Sequence, residues 1–246
     1  MGTRVFDSTE HFKPVVVAPT FNNASTLLQV LNRIIELNLP LIVVNDGSTD
    51  RTGDLLKTWY HDQPRREHIH IFDHIHNRGK GQALRNAFAR AEVLGFTHAV
   101  TIDTDGQLDP EQIPDLLLAA SANPDALILG FRDDTAFDYP KKSRVGRRLS
   151  NFFIRVECGL YVGDSQCGFR VYPIRLVQNI TCGAGRYGYE TEIIVRAVWA
   201  GYPIVEVPIR CRYFFGEKHR THFKPWQDTF RHVSLHARML ARRFCR

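Results

Sequence analysis

The 246-residue chain contains only five cysteines, Cys158, Cys167, Cys182, Cys211 and Cys245, and no two of them form a C-x-x-C pair. An odd count without that spacing argues against a disulfide framework or a cysteine zinc site, and makes a reducing compartment the expectation. No run approaches the ~18 consecutive apolar residues that a membrane-crossing helix needs. The first residues carry Asp7 and Glu10 and no apolar segment, so no secretory signal is expected there. Glycine and proline do not dominate, repeats and low-complexity tracts are absent, and 43% of residues are hydrophobic, which excludes a fibrous or largely disordered chain. The length suffices for one large α/β domain with a substantial core.

Acidic residues are scarce in two segments, and this makes the formal charge of +6 informative. From Ile209 to Arg246 there are ten Lys/Arg against Glu217 and Asp228, a local +8 that leaves −2 for the rest. Tyr139–Val156 carries Lys141, Lys142, Arg144, Arg147, Arg148 and Arg155 with no acid at all. The basicity is therefore local. Nucleic acid, an anionic lipid surface and a phosphate substrate are all compatible with net charge alone.

Apolar runs alternate with amphipathic stretches. Strands are predicted at Val15–Ala18, Leu41–Val44, His68–Phe72, Ala99–Ile102, Ala126–Leu129 and Ile204–Ile209. Helices are predicted at Thr26–Leu37, from Asp50 through Trp59, and at Gln82–Leu94, Glu111–Ala120, Arg144–Cys158 and Glu190–Ala200. The alternation implies a mostly parallel sheet covered by helices on both faces. Ligands of such sheets gather at the carboxyl ends of the strands. There this chain places Pro19-Thr20-Phe21-Asn22-Asn23, Asn45-Asp46-Gly47-Ser48, Asn77-Arg78-Gly79-Lys80-Gly81, Asp103-Thr104-Asp105-Gly106-Gln107 and Gly130-Phe131-Arg132.

The sharpest of these is Asp103-Thr104-Asp105. Two carboxylates one residue apart, just past a buried strand, put hard oxygen donors near one point, and Gln107 adds an amide oxygen. That set suits Mg²⁺ or Mn²⁺ shared with a diphosphate rather than zinc. Gly79-Lys80-Gly81 opens a helix whose free N–H groups favour an anion, with Lys80 beside it and without Walker A spacing. Arg132 could meet phosphate oxygens or make a surface ion pair. The histidines at 68, 70, 74 and 76 recur at period two, which reads as the exposed side of a strand rather than a zinc box.

The order of these motifs resembles the family 2 glycosyltransferases of GT-A fold over about residues 14–220. Within that family the chain looks most like the dolichyl- and polyprenyl-phosphate sugar synthases. That likeness rests on Asp103–Gln107, Asp164-Ser165-Gln166-Cys167-Gly168-Phe169-Arg170, Glu192–Arg196, Glu206-Val207-Pro208-Ile209 and Gly216-Glu217-Lys218. The resemblance implies a GT-A domain over residues 1–224 followed by a helix at 225–246. It implies a nucleotide pocket of Pro19, Thr20, Phe21, Asn23, Asp46, Lys80 and Asp103, and a Mg²⁺ or Mn²⁺ site of Asp103, Asp105 and Gln107. Asp105, Asp164 and Arg132 are the implied catalytic residues. Synthases usually carry Glu at the position of Asn23 and an Asp pair at Asn45-Asp46, which leaves GDP- and UDP-linked donors both open.

The implied reaction is inverting transfer of a hexose from a nucleotide-diphosphate sugar. A lipid phosphate acceptor is already an anion and needs cations, for which Arg144, Arg147 and Ser150 are placed; the alternative for that stretch is a solvated helix face. A hydroxyl on a glycan or glycolipid would need a base, and Asp164 stands where hydroxyl-using relatives carry theirs. In the tail, Trp226, Phe230, Val233, Ala237, Leu240 and Phe244 share one stripe beside Arg231, Arg238 and Arg242. Such a helix lies on an anionic membrane or packs on the domain by its stripe. The expectation is an enzyme at the cytoplasmic face of a membrane, with an anchoring partner protein as one option. A non-catalytic nucleotide-sugar binder is the rival reading, and nucleic acid is not expected as a partner because no nucleic-acid motif is present.

Overall fold

A computed structural model describes residues 12–132, 141–212 and 225–244, with only the backbone element described at 141–143, 225–232 and 244. In chain order the elements are β1 (Pro14–Thr20), α1 (Leu27–Ile35), β2 (Leu41–Asn45), α2 (Thr52–His61), β3 (Ile69–Asp73), α3 (Lys80–Val93), β4 (His98–Thr101) and α4 (Ile113–Ala122). Then come β5 (Leu127–Arg132), α5 (Lys141–Cys158), β6 (Arg170–Pro173), α6 (Ile174–Asn179), α7 (Gly188–Trp199), β7 (Ile204–Ile209) and α8 (Pro225–Phe244).

Side chains alternate across a strand, so a strand apolar at every position buries both faces. β1 does this: Val15 and Val17 enter one core with Ala83, Ala87 and Ile193, while Val16 and Ala18 enter the other with Leu27, Leu31, Leu56 and Ile113. The seven strands lie in the order β3-β2-β1-β4-β6-β5-β7. All neighbouring pairs are parallel except those of β6, which runs antiparallel to β4 and β5.

The predicted strands match the observed ones to within one to three residues at their ends. β6 and the short α6 after it are not predicted by the sequence pattern, and the direction of β6 decides where the site forms. Because β6 is antiparallel, its start is level with the carboxyl ends of its neighbours, with Arg170 opposite both Thr101 and Leu129. The Gly-rich segment 163–169 is thereby delivered to the same sheet edge as the Asp103 loop and Arg132.

Arg170 fixes that delivery. Its fully buried guanidinium donates to the carbonyls of Ser165 (2.7 Å), Cys167 (2.7 Å) and Glu190 (2.6 Å). Thr101 Oγ1 donates to Gly168 O at 2.7 Å, and Gly130 N–H to Phe169 O at 2.8 Å.

Helix α8 packs on the body through side chains other than Val233 and Ala237 of the apolar stripe. Leu235, His236 and Met239 are buried, whereas Val233 and Ala237 are exposed. His236 Nδ1 meets Glu157 Oε1 of α5 at 2.7 Å, and its ring stacks on Phe153 at 4.7 Å. The side chains of Trp226, Phe230 and Phe244, the segment Gly216-Glu217-Lys218 and Cys245 lie outside the described residues.

Replacing Arg170 by Leu leaves three buried carbonyls without a donor. The expected cost is about 3–5 kcal/mol, read as a lowered urea midpoint.

Candidate active site

The parallel register aligns Thr20 with Asn45 and Asn45 with Asp73, so the loops after β1, β2 and β3 start level. Asp46, just past β2, is almost fully buried and gathers the next loop around itself. The N–H groups of Arg78 and Gly79 donate to its two oxygens at 2.8 and 2.7 Å. His74 Nδ1 lies 2.6 Å from Oδ1, with Asn86 Nδ2 2.8 Å from the other ring nitrogen. Asn86 Nδ2 is a donor only, so Nε2 accepts and Nδ1 donates to Asp46. Two expectations change here. The anion at the start of α3 is the protein's own Asp46 carboxylate, and Gly81 N–H is taken by Arg186 O at 3.1 Å. His74 lies past the end of β3 with a nearly buried side chain, not on an exposed strand face.

The loop after β1 is tied equally tightly. Asn22, at φ +52°, accepts from the N–H groups of Thr49 (2.8 Å) and Asp50 (3.3 Å), and Asn23 Nδ2 donates to Thr104 Oγ1 (2.9 Å). Thr26 Oγ1 donates to Thr104 O at 2.7 Å, so the fully buried middle residue of Asp103-Thr104-Asp105 is anchored to the start of α1. Pro19 and Thr20 are buried at the end of β1, and Phe21 is partly exposed beside them.

The Asp103 carboxylate is held by Lys80. Lys80 Nζ lies 2.7 Å from Oδ1 and 2.9 Å from Oδ2, and 3.0 Å from Glu190 Oε1. Burial pushes the Lys80 ammonium down, but Asp103 and Glu190 more than offset this and hold it above the usual lysine range. Gly168 roofs this trio. A Cβ there would run into Lys80 Nζ, Asp103 Oδ2 (2.7 Å) and Glu190 Oε1 (3.2 Å), so no larger residue fits without moving the ions. Asp105 Oδ1 accepts from Gln107 N–H at 3.0 Å.

A second cluster stands on the other side of the 163–169 segment. Asp164, fully buried, accepts from Arg132 Nε (2.6 Å) and Nη2 (3.1 Å), and from Arg147 Nη1 (3.4 Å). Arg147 Nη1 also donates to Arg132 O at 2.6 Å. Burial pushes the Asp164 carboxyl up, but the two guanidiniums and the Gln166 N–H pull harder and hold it below the usual carboxylate range. Of the residues expected to meet an acceptor, Arg147 and Ser150 are buried on the inner face of α5, Ser150 accepting from Ser165 Oγ at 3.0 Å; Arg144 is half-buried one turn earlier.

Thus Asp103 and Lys80 meet directly, as do Arg132, Asp164 and Arg147, while Asp46 and Asn23 act on neighbouring loops. Glu190 was not singled out from the sequence. An acid in the first turn of a helix is ordinary, and no local signal marks it.

The glycosyl transferase family 2 model matches residues 15–181. The chain belongs to that family. This family 2 glycosyltransferase is 28% identical over 205 residues to the polyprenol monophosphomannose synthase of Mycolicibacterium smegmatis, covering 80% of this chain and 76% of that one. It is 27% identical to the undecaprenyl-phosphate mannosyltransferase of Micrococcus luteus, covering 79% of this chain and 82% of that one. The glucosyl-3-phosphoglycerate synthase of Mycobacterium tuberculosis, solved with Mn²⁺, UDP and phosphoglyceric acid, superposes with a TM-score of 0.66 at 20% identity. That comparison covers 94% of this chain and 78% of the other, and it establishes the GT-A architecture.

The low-lying Asp164 carboxyl gives a pH signature. Its ion pairs stabilise the fold above the ordinary carboxylate value of ~3.9 and are lost as pH falls through the lower folded-state value. Melting temperatures from pH 7 to pH 3 are expected to fall more steeply at the acid end for the wild type than for Asp164→Asn.

Proposed function

We propose that this glycosyltransferase moves a hexose, with inversion, from a nucleotide-diphosphate sugar to a polyprenyl-phosphate-type lipid at a membrane surface. The observation that carries the choice of acceptor is Asp164. A general base needs a free lone pair and a carboxyl tuned towards the working pH. Asp164 has neither property: it is buried, held by two arginines and shifted to lower values. Its role is to orient Arg132 and Arg147. An acceptor that is already an anion needs no deprotonation, only cations that hold its phosphate in line with the anomeric carbon. The names of the mannosyltransferase relatives support the same acceptor class.

On the donor side, the loops carrying Pro19, Phe21, Asn23 and Asp46 bound the nucleotide, and Asp103 and Asp105 face its diphosphate. Among the described residues no three His, Cys, Asp or Glu side chains converge on one point. A divalent cation would therefore use Asp103 and Asp105 with the Gln107 amide, and complete its shell from diphosphate or water oxygens. Those hard donors fit Mg²⁺ or Mn²⁺, and the Mn²⁺ in the Mycobacterium tuberculosis relative is of that class. When bound, the cation supplies neutralisation of the departing diphosphate. Lys80, already poised over Asp103, keeps a positive charge at the same point, and Glu190 holds it there.

Asp103→Ala and Asp105→Ala are each expected to cut transfer to a polyprenyl phosphate by at least ~10²-fold. Mn²⁺ with UDP or GDP should raise the melting temperature of the wild type and not of either variant. Near-normal turnover in both variants would defeat the donor reading. Efficient transfer to a glycan hydroxyl, lost in Asp164→Asn together with an acid limb in the pH–rate profile, would return Asp164 to the role of base.

A further inference from the structure

Helix α5 presents two contrasting faces. Its inner face is polar and occupied: Asn151 Nδ2 donates to Gly163 O at 2.8 Å, its Oδ1 accepts from Ser165 N–H at 3.0 Å, and Arg147 reaches Asp164. Its outer face carries Val145, Leu149 and Phe152, which are 68%, 55% and 58% exposed. Their i, i+4, i+7 spacing puts them on one stripe, which Val156 extends at i+11. At ~100° per residue, Phe153 and Glu157 lie on one flank of this ridge, where α8 packs through His236. Arg148 and Arg155, both exposed, lie on the other flank.

We propose that this outer ridge of α5 seats the protein on an anionic membrane, with Val145, Leu149 and Phe152 entering the boundary between headgroups and acyl chains. The proposal rests on the lipid-phosphate reading of the acceptor and names the element that meets the lipid. Charge complementarity selects the occupant. Arg148 and Arg155 flank the ridge, and no acid lies between Tyr139 and Val156, so a two-fold contact with a second copy would set like charges against each other. Anionic headgroups attract the exposed positive charge of Arg148 and Arg155 while the ridge buries its apolar atoms. The position is continuous with the site, since the helix that meets the membrane outside carries Arg147 and Ser150 inside, one helix diameter of ~10 Å away. The C-terminal helix then buttresses α5 from the side.

The test is co-sedimentation of the full chain with vesicles of equal parts phosphatidylcholine and phosphatidylglycerol, compared with phosphatidylcholine alone. The wild type is expected to favour the anionic vesicles, and Leu149→Glu/Phe152→Glu to weaken partitioning at least about tenfold. Because both side chains are exposed, the melting temperature should not move, and transfer to a short, water-soluble prenyl phosphate should persist. Undiminished vesicle binding by the double variant would overturn the proposal. So would loss of binding on Val233→Glu in α8 but not on the α5 changes, or a dimer seen by light scattering that the α5 changes split. If ridge-dependent binding holds but the wild type transfers nothing to any prenyl phosphate, the acceptor reading fails and the membrane seat stands.

Discussion

A buried guanidinium sets the plan of this site. Arg170 opens the antiparallel strand β6 and directs its donors at three backbone carbonyls, from Ser165, Cys167 and Glu190. A charge with no access to water is tolerable only when its donors are matched in this way. The consequence reaches beyond the local fold. The three carbonyls belong to two separate parts of the chain, the Gly-rich segment and the start of α7, and the guanidinium locks one to the other. That lock, with the bonds from Thr101 to Gly168 and from Asn151 to Gly163 and Ser165, fixes Gly168 and Glu190 against Lys80 and Asp164 beside Arg132.

Two ion clusters result, separated by a few residues of backbone. In one, a lysine bridges two carboxylates at 2.7 to 3.0 Å; in the other, a carboxylate joins two arginines. Each is buried enough for its charges to act strongly on one another. Their composition is opposite, acid-rich on the side of the Asp103 loop and arginine-rich on the side of α5. That polarity agrees with the proposed reaction, in which a diphosphate departs from one face of a sugar and an anion arrives at the other. The chain supplies this polarity by placing ordinary residues on a sheet edge.

Much of this was readable from the residues. The apolar runs of β1, β2, β4 and β5 and the polar residues that close them located the sheet edge and put Asp103-Thr104-Asp105 on it. What could not be read depends on encounters between distant parts of the chain. β6 is four residues long, begins with a charge and ends with Pro173, a pattern that suggests a loop, and its pairing with the distant β4 and β5 makes it a strand. The resemblance makes Asp164 the base for a hydroxyl acceptor, and nothing local announces that Arg132 and Arg147, 32 and 17 residues away, both turn towards it. His74 continued a period-two series on paper, yet it lies beyond the strand and pairs with Asp46. In α8 periodicity groups Val233, Ala237 and Leu240 on one stripe, but it does not tell which face a neighbouring helix covers. Here Leu235, His236 and Met239 are covered and Val233 is not.

The cross-ties at Asn22 and Asp46 have a thermodynamic consequence. Loops that must be ordered by a ligand charge that ordering against its affinity, as lost backbone and side-chain freedom. The loops after β1, β2 and β3 are already fastened to one another, through Asn22 to Thr49 and Asp50 and through Asp46 to Arg78, Gly79 and His74. A ligand arriving at that edge meets walls whose conformational entropy was surrendered when the chain folded. Its binding is spared the cost of ordering those loops.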